Sequence, residues 1–211
     1  MKKNVILLVM ILMTLNACTS NKASKTETET KTVDTVTEEP TIKDYVVGEK
    51  WEYTWKVSAG EEIRGEGIDL KEVVNYKKGL GFLYGQDTVQ ITNPSSEKST
   101  TPYRAWPLKV GKKWKYESES ANNEGDKMTI KQDVEVVSYG DVTVKGGVFK
   151  AFKIVYTGTV RNHKYSKTGA PSNDVWWYAP ALKSYIKHTQ DNGDVSTYAY
   201  VNELISYSKP K

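Results

Sequence analysis

Apolar and polar residues alternate with period two along much of the chain beyond residue 45. Met128, Ile130, Val134 and Val136 alternate with Lys127, Thr129, Lys131, Asp133 and Glu135. That pattern predicts a strand with one dry face and one wet face. Gly48-Glu49-Lys50-Trp51-Glu52-Tyr53 puts Trp51 and Tyr53 on one face of another strand, with Gly48 releasing the chain from the turn before it. Gly146-Gly147 reads as a hairpin ahead of a strand in which Phe152, Ile154 and Tyr156 share a face. Asn192-Gly193 suits a type I′ turn between strands over 184–190 and 195–207. Gly65-Glu66-Gly67 and Gly79-Leu80-Gly81 lack a strand–helix context for phosphate binding and read as hairpins too. Helical periodicity is absent beyond one short stretch. The expected fold is all-β: an antiparallel meander forming a curved sheet or half-barrel of about nine to eleven strands.

The pattern also repeats. Val47-Gly48-Glu49-Lys50-Trp51-Glu52-Tyr53 returns as Val110-Gly111-Lys112-Lys113-Trp114-Lys115-Tyr116. Glu72-Val73-Val74-Asn75-Tyr76 returns as Glu135-Val136-Val137-Ser138-Tyr139 at the same offset of 63 residues. Aligned without gaps from Val47 to Tyr76, 10 of 30 positions are identical. Two blocks in one register indicate an internal duplication, with copies over about 47–109 and 110–172. The repeated Trp and Tyr read as core, since a duplicated fold duplicates its core.

One apolar run stands outside this pattern. Val5 to Met13 follows Lys2 and Lys3 and leads to Leu15-Asn16-Ala17-Cys18. It is too short to span a membrane, which takes roughly 20 residues. Basic start, apolar stretch, an aliphatic residue at −3 and alanine at −1 before cysteine resemble the lipobox of bacterial lipoproteins. The resemblance implies a signal peptide over residues 1–17, with Cys18 the lipidated first residue of the mature chain. Its thiol takes diacylglycerol and its new amino group is often acylated, with palmitate a typical chain. The membrane is then the expected partner, reached through Cys18. At about 0.8 kcal/mol per buried methylene, two or three acyl chains hold the protein without further contacts. Thr19 stands where the best-known inner-membrane retention signal places Asp, so in a cell with two membranes the outer one is expected. Either way the address is the cell envelope, with the domain exposed to the periplasm or the cell surface.

Composition divides the rest. Residues 18–43 are rich in Thr, Glu and Lys and carry no aromatic side chain, so a disordered tether is expected. All 6 Trp and all 14 Tyr lie from Tyr45 onward, giving the β domain, 44–211, enough apolar surface for a sizeable core. Lys2 and Lys3 supply half of the formal charge of +4, and the remaining charges are scattered. Nucleic acid is therefore not an expected partner. Cys18 is the only cysteine, which excludes an internal disulfide framework.

Trp106-Pro107-Leu108-Lys109-Val110-Gly111-Lys112-Lys113-Trp114-Lys115-Tyr116, Gly147-Val148-Phe149-Lys150-Ala151-Phe152-Lys153-Ile154 and Trp177-Tyr178-Ala179-Pro180 resemble motifs of uncharacterised exported bacterial domains. Those domains are similar in architecture to the half-barrels of lipoprotein carriers. The resemblance implies the fold, the compartment and a concave face for something apolar, and it assigns no catalytic residue. In that family a glycine-containing turn follows the proline; here Ala181-Leu182-Lys183-Ser184 stands in its place.

Candidate chemistry is sparse. His163 and His188 are the only histidines, and neither has Cys, His or carboxylate at ligand spacing, so no metal or cofactor is expected. Trp176-Trp177-Tyr178 is the stretch with functional promise: Trp176 and Tyr178 share one side of a strand and Trp177 takes the other. One of these sides can stack a sugar or line an apolar groove, with Asp174 beside it to accept a hydroxyl hydrogen bond. The expected function is non-catalytic binding of an apolar ligand, a glycan or a protein partner. The alternatives are a structural adaptor of the envelope and a glycan hydrolase. The last needs two carboxylates facing each other across about 5–10 Å.

Overall fold

The alternating pattern resolves into ten antiparallel strands in one open sheet among the described residues. The computed structural model of the protein describes residues 36–92, 99–122, 124–192 and 198–210. Cys18, the signal segment and the tether up to residue 35 lie outside the described residues, as do Gly193 and Asp194 of the expected type I′ turn. In chain order the strands are β1 (Lys50–Ala59), β2 (Glu62–Tyr76), β3 (Gly79–Tyr84), β4 (Asp87–Gln90), β5 (Lys113–Ala121), β6 (Lys127–Val144), β7 (Gly147–Asn162), β8 (Ala170–Ala179), β9 (Ser184–Asp191) and β10 (Tyr198–Ser208).

Across the sheet the order is β4-β3-β2-β1-β10-β9-β8-β7-β6-β5. Neighbours in sequence pair everywhere except β4 and β5, which form the two opposite edges. The chain meanders from the middle to one edge, crosses to the other edge, and meanders back until β10 closes on β1. Local alternation predicts the strands but not this long crossing, which positions the candidate site.

The two repeated sequence blocks share local backbone geometry. Lys50 pairs with Glu72 across β1 and β2, and Lys113 pairs with Glu135 across β5 and β6. Both pairs are also ion pairs, at 3.2 and 3.1 Å. Gly48 N donates to Val73 O at 2.7 Å and Gly111 N donates to Val136 O at 2.8 Å, each pair offset by the same 63 residues. The two glycines sit at φ +85° and +83°, a region that a β-carbon strains. Burial differs because β1 is central and β5 is an edge. Trp51 is fully buried, whereas Trp114 is only half-buried.

Two glycine-rich segments depart from the hairpin reading. Gly65-Glu66-Gly67 lies inside β2, where Gly67 pairs with Trp55 and Gly65 with Val57. A β-carbon at Gly65 would come within 3.2 Å of the Trp55 ring, and one at Gly67 within 2.9 Å. These glycines are therefore a floor for an indole lying across the strand. Gly79-Leu80-Gly81 opens β3, and the hairpin lies just upstream at Lys77-Lys78, closed by the Tyr76–Gly79 pair with Lys77 at φ 52°.

After β8 the chain makes a 3-10 turn over Pro180–Leu182, and Lys183 takes the left-handed position at φ 52°. The turn over Ala181-Leu182-Lys183-Ser184 is thus made with a left-handed lysine. Two clusters form the core. One gathers Trp51, Tyr53, Val73, Ile186 and Leu204 around the middle of the sheet. The other gathers Leu108, Val134, Phe152, Ile154, Tyr156 and Tyr178 where the crossing segment lies on β6 to β8.

Candidate binding site under the crossing strap

Strand register brings the aromatic residues to one face. Paired residues point the same way, and alternate positions along a strand share a side. Tyr53 stacks on Tyr185 at 4.8 Å between centroids, and Trp176 meets Tyr185 edge-on at the same distance. Trp176 also lies flat on His188 at 3.6 Å. Farther along, Tyr156 meets Trp114 and Tyr116 edge-on. At the other end Tyr45, Trp51 and Phe82 form a mutual edge-to-face trio. Such contacts contribute about 0.5–1.5 kcal/mol per pair beyond area burial.

Residues 102–108, in the connection between β4 and β5, lie over this face as a strap. Tyr103 stacks on Tyr156 at 5.1 Å and meets Trp176 edge-on, while Trp106 meets Tyr178 edge-on at 5.3 Å. Tyr156 Oη donates to Tyr103 O at 2.7 Å, and Trp114 Nε1 donates to Pro102 O at 2.9 Å. Leu108 is fully buried in the cluster beneath. Thr37 fastens the strap from outside: Thr37 N donates to Leu108 O at 3.0 Å, and Leu108 N donates to Thr37 O at 2.8 Å.

A cavity of about 430 Å³ remains between the strap, the β3–β4 hairpin and residues 39–45. Tyr45, Phe82, Tyr103, Arg104, Trp106 and Tyr178 are among its lining residues. Arg104 enters it from the strap, with its guanidinium carbon 5.7, 5.7 and 5.4 Å from the rings of Tyr103, Trp176 and Tyr178. Burial pushes the pKa of the Tyr156 hydroxyl up to about 12, and the nearby Arg104 cation only partly offsets this. Glu39 is the carboxylate that lines the cavity among the described residues. Burial raises its pKa, and the Arg104 charge only partly offsets this.

The floor continues into a buried charged group. Lys71 Nζ donates to Ser184 Oγ at 2.9 Å and lies 4.3 Å from the centroids of both Trp51 and Phe82. Burial first, then the nearby Arg104 charge, lowers its pKa from 10.5 to about 7. Glu49, fully buried, accepts from Lys183 Nζ at 2.6 Å and from the Tyr207 hydroxyl.

The structure separates the residues singled out in the sequence. Trp176 and Tyr178 face the strap and both lie near Arg104. Trp177 lies near Lys153 and Lys187, each 5.6 Å from its ring, and none of the three lines the cavity. Asp174 is engaged within the fold: His188 Nε2 lies 3.0 Å from Oδ1, and Oδ2 accepts from Gln132 at 2.8 Å and Ser172 at 3.1 Å. Sequence spacing gave His188 no acidic neighbour, because β8–β9 register alone brings Asp174 to it. His163 contacts Thr129 Oγ1 at 2.7 Å on the exposed end of the sheet. Among the described residues no group of three or more His, Cys, Asp or Glu side chains is placed to hold a metal ion. Arg104 and Lys71 carried no sequence signal, since nothing local distinguishes them from the scattered surface cations.

No protein-family model matches the chain, and no curated protein matches it either. Two solved structures are similar. One is a candidate lipoprotein from Parabacteroides distasonis ATCC 8503, at TM-score 0.46 and 10% identity, over 82% of this chain and 100% of the other. The second is a candidate exported protein with a YmcC-like fold from Bacteroides fragilis NCTC 9343, at TM-score 0.42 and 13% identity, over 83% of this chain and 100% of the other.

Proposed function

We propose that the chain is a lipid-anchored envelope protein whose β domain binds a small ligand with an apolar body, without covalent chemistry, beneath the strap. The cavity carries this reading. Its volume of about 430 Å³ suits one small molecule, and Tyr45, Phe82, Trp106 and Tyr178 offer it ring surface. Glycan hydrolysis finds less support. Glu39 faces no second carboxylate in the cavity lining among the described residues, and the oxygens of Glu49 and Asp174 are engaged by protein donors. The anchor rests on the tetrad ending at Cys18 and on the basic and apolar segments before it.

Two measurements test the two halves. Cys18→Ser should move the protein from the membrane fraction to the soluble fraction; an unchanged distribution refutes the anchor. The mature chain carrying Cys18→Ser should bind the neutral fluorophore phenylnaphthylamine saturably at one site, with Trp106→Ala weakening the binding. Absence of saturable binding refutes the cavity as a ligand site.

A further inference from the structure

Three buried hydrogen-bond donors beneath the strap lack a protein acceptor, and two of them, on Arg104 and Tyr178, belong to residues that line the cavity. Arg104 Nε, Trp176 Nε1 and Tyr178 Oη are each buried and unpartnered. Buried polar groups are ordinarily satisfied, so each such group calls for an explanation. These three are neighbours: the Arg104 guanidinium lies against the rings of both Trp176 and Tyr178. Two of them can only donate, and a phenol can donate as well. Arg104 also makes no ion pair among the described residues, and Glu39, which feels its charge, forms none with it. A neutral acceptor would leave the guanidinium charge uncompensated in an aromatic surround. An oxyanion offers acceptors alone and balances that charge.

Resting on the cavity as a ligand site, we infer that its ligand carries an anionic head, held by Arg104 with the Tyr178 hydroxyl, both of which line the cavity. The chemical class is a carboxylate, sulfonate or phosphate monoester joined to an apolar ring or chain. The planar guanidinium grips such a head in two places, which an ammonium does not do. Lys71, behind Phe82 and Trp51, adds positive potential to the same floor. The aromatic walls take the body, so head and body are recognised by different residues.

A matched pair of fluorophores separates the two ideas. Phenylnaphthylamine and anilinonaphthalene sulfonate share one ring skeleton and differ in the sulfonate. On the mature Cys18→Ser chain the sulfonate should bind roughly tenfold or more tighter, the scale of a hydrogen bond to a charged group. Arg104→Gln should erase that preference while leaving phenylnaphthylamine affinity near its starting value. Arg104→Lys keeps the charge and should retain part of the preference, which guards against misreading a folding defect in Arg104→Gln. Tyr178→Phe should weaken the sulfonate alone. Equal affinity for both probes overturns the anionic head and leaves the cavity reading standing; failure of both to bind overturns both. A sulfonate preference that survives Arg104→Gln also overturns the assignment. Displacement of the sulfonate probe by benzoate identifies a free small anion as the source. Displacement only by phosphatidic acid vesicles identifies a lipid head group, and either supports the inference.

Discussion

Lys183 Nζ lies 2.6 Å from Glu49 Oε1, joining the turn after β8 to the residue that precedes β1. The pair connects two points 134 residues apart in sequence, and Glu49 is fully buried while the Lys183 side chain is nearly so. Lys183 also donates to Asp44 O at 2.7 Å. One lysine thus holds the N-terminal segment, the start of the sheet and a left-handed turn together. Removing one partner of a buried ion pair costs about 3–5 kcal/mol, because the other charge is stranded. Lys183→Gly relieves the positive φ yet loses the charge, so it should still destabilise the protein, and Lys183→Met should do so more. Urea midpoints of the two variants and the parent check the order; a stabilised Lys183→Gly would show that the turn matters more than the pair.

Three glycines should respond differently to alanine. At Gly158 a β-carbon would sit 2.0 Å from Lys131 O, a backbone atom that cannot swing aside. At Gly67 it would meet the Trp55 ring at 2.9 Å, which a side-chain shift can relieve at about 1–3 kcal/mol. At Gly140 nothing lies within 4 Å and φ is ordinary. Gly158→Ala should therefore unfold most easily, Gly67→Ala should be intermediate, and Gly140→Ala should be neutral or slightly stabilised. Thermal unfolding of the three ranks them directly.

Lys71 makes stability depend on pH. Its pKa is about 7 in the folded chain and 10.5 when exposed, so between these values the unfolded chain binds more protons. Stability from this group therefore rises with pH across that window. Its cost is full below about pH 7 and gone above about pH 10.5. The slope is at most about 1.4 kcal/mol per pH unit. Lys71→Met should flatten the rise and add stability at neutral pH. Denaturant midpoints for parent and variant at several pH values test this; parallel pH curves would remove Lys71 as the cause.

The strap should loosen without the sheet unfolding. Leu108 is fully buried, so Leu108→Ala should cost about 2–5 kcal/mol. Thr37→Pro removes the Thr37 N–H that bonds to Leu108 O, leaving the buried leucine in place. Hydrogen exchange over residues 99–112 should quicken in both variants. In Thr37→Pro the β6–β7 amides should keep their protection. Loss of protection in both regions together would mean that strap and sheet open as one unit.

Local chemistry made part of this legible in the sequence. Alternation gave the strands, and the 63-residue offset foreshadowed two hairpins with one register, down to Lys50–Glu72 and Lys113–Glu135. What depends on distant chain was not legible. Gly65 and Gly67 looked like turns because the reason for them is Trp55 on the neighbouring strand. Lys183 fills a left-handed position that glycine usually takes, held there by Glu49 far upstream. Arg104 gains its setting only when the β4–β5 connection crosses the sheet. Of the aromatic run singled out in the sequence, Tyr178 lines the cavity, while Tyr45, Phe82 and Arg104 carried no signal for it.

The two hydrogen bonds between Thr37 and Leu108 give the chain an order of opening under load. A pull on the backbone upstream of Thr37 reaches the strap before it reaches β1. Those two bonds carry it, whereas β1 is laced to partners on both sides along its whole length. Force therefore frees Thr37 first, while Leu108, Tyr103 and Trp106 still hold the strap on the aromatic floor, so that releasing the N-terminal segment and unfolding the sheet are separate mechanical events.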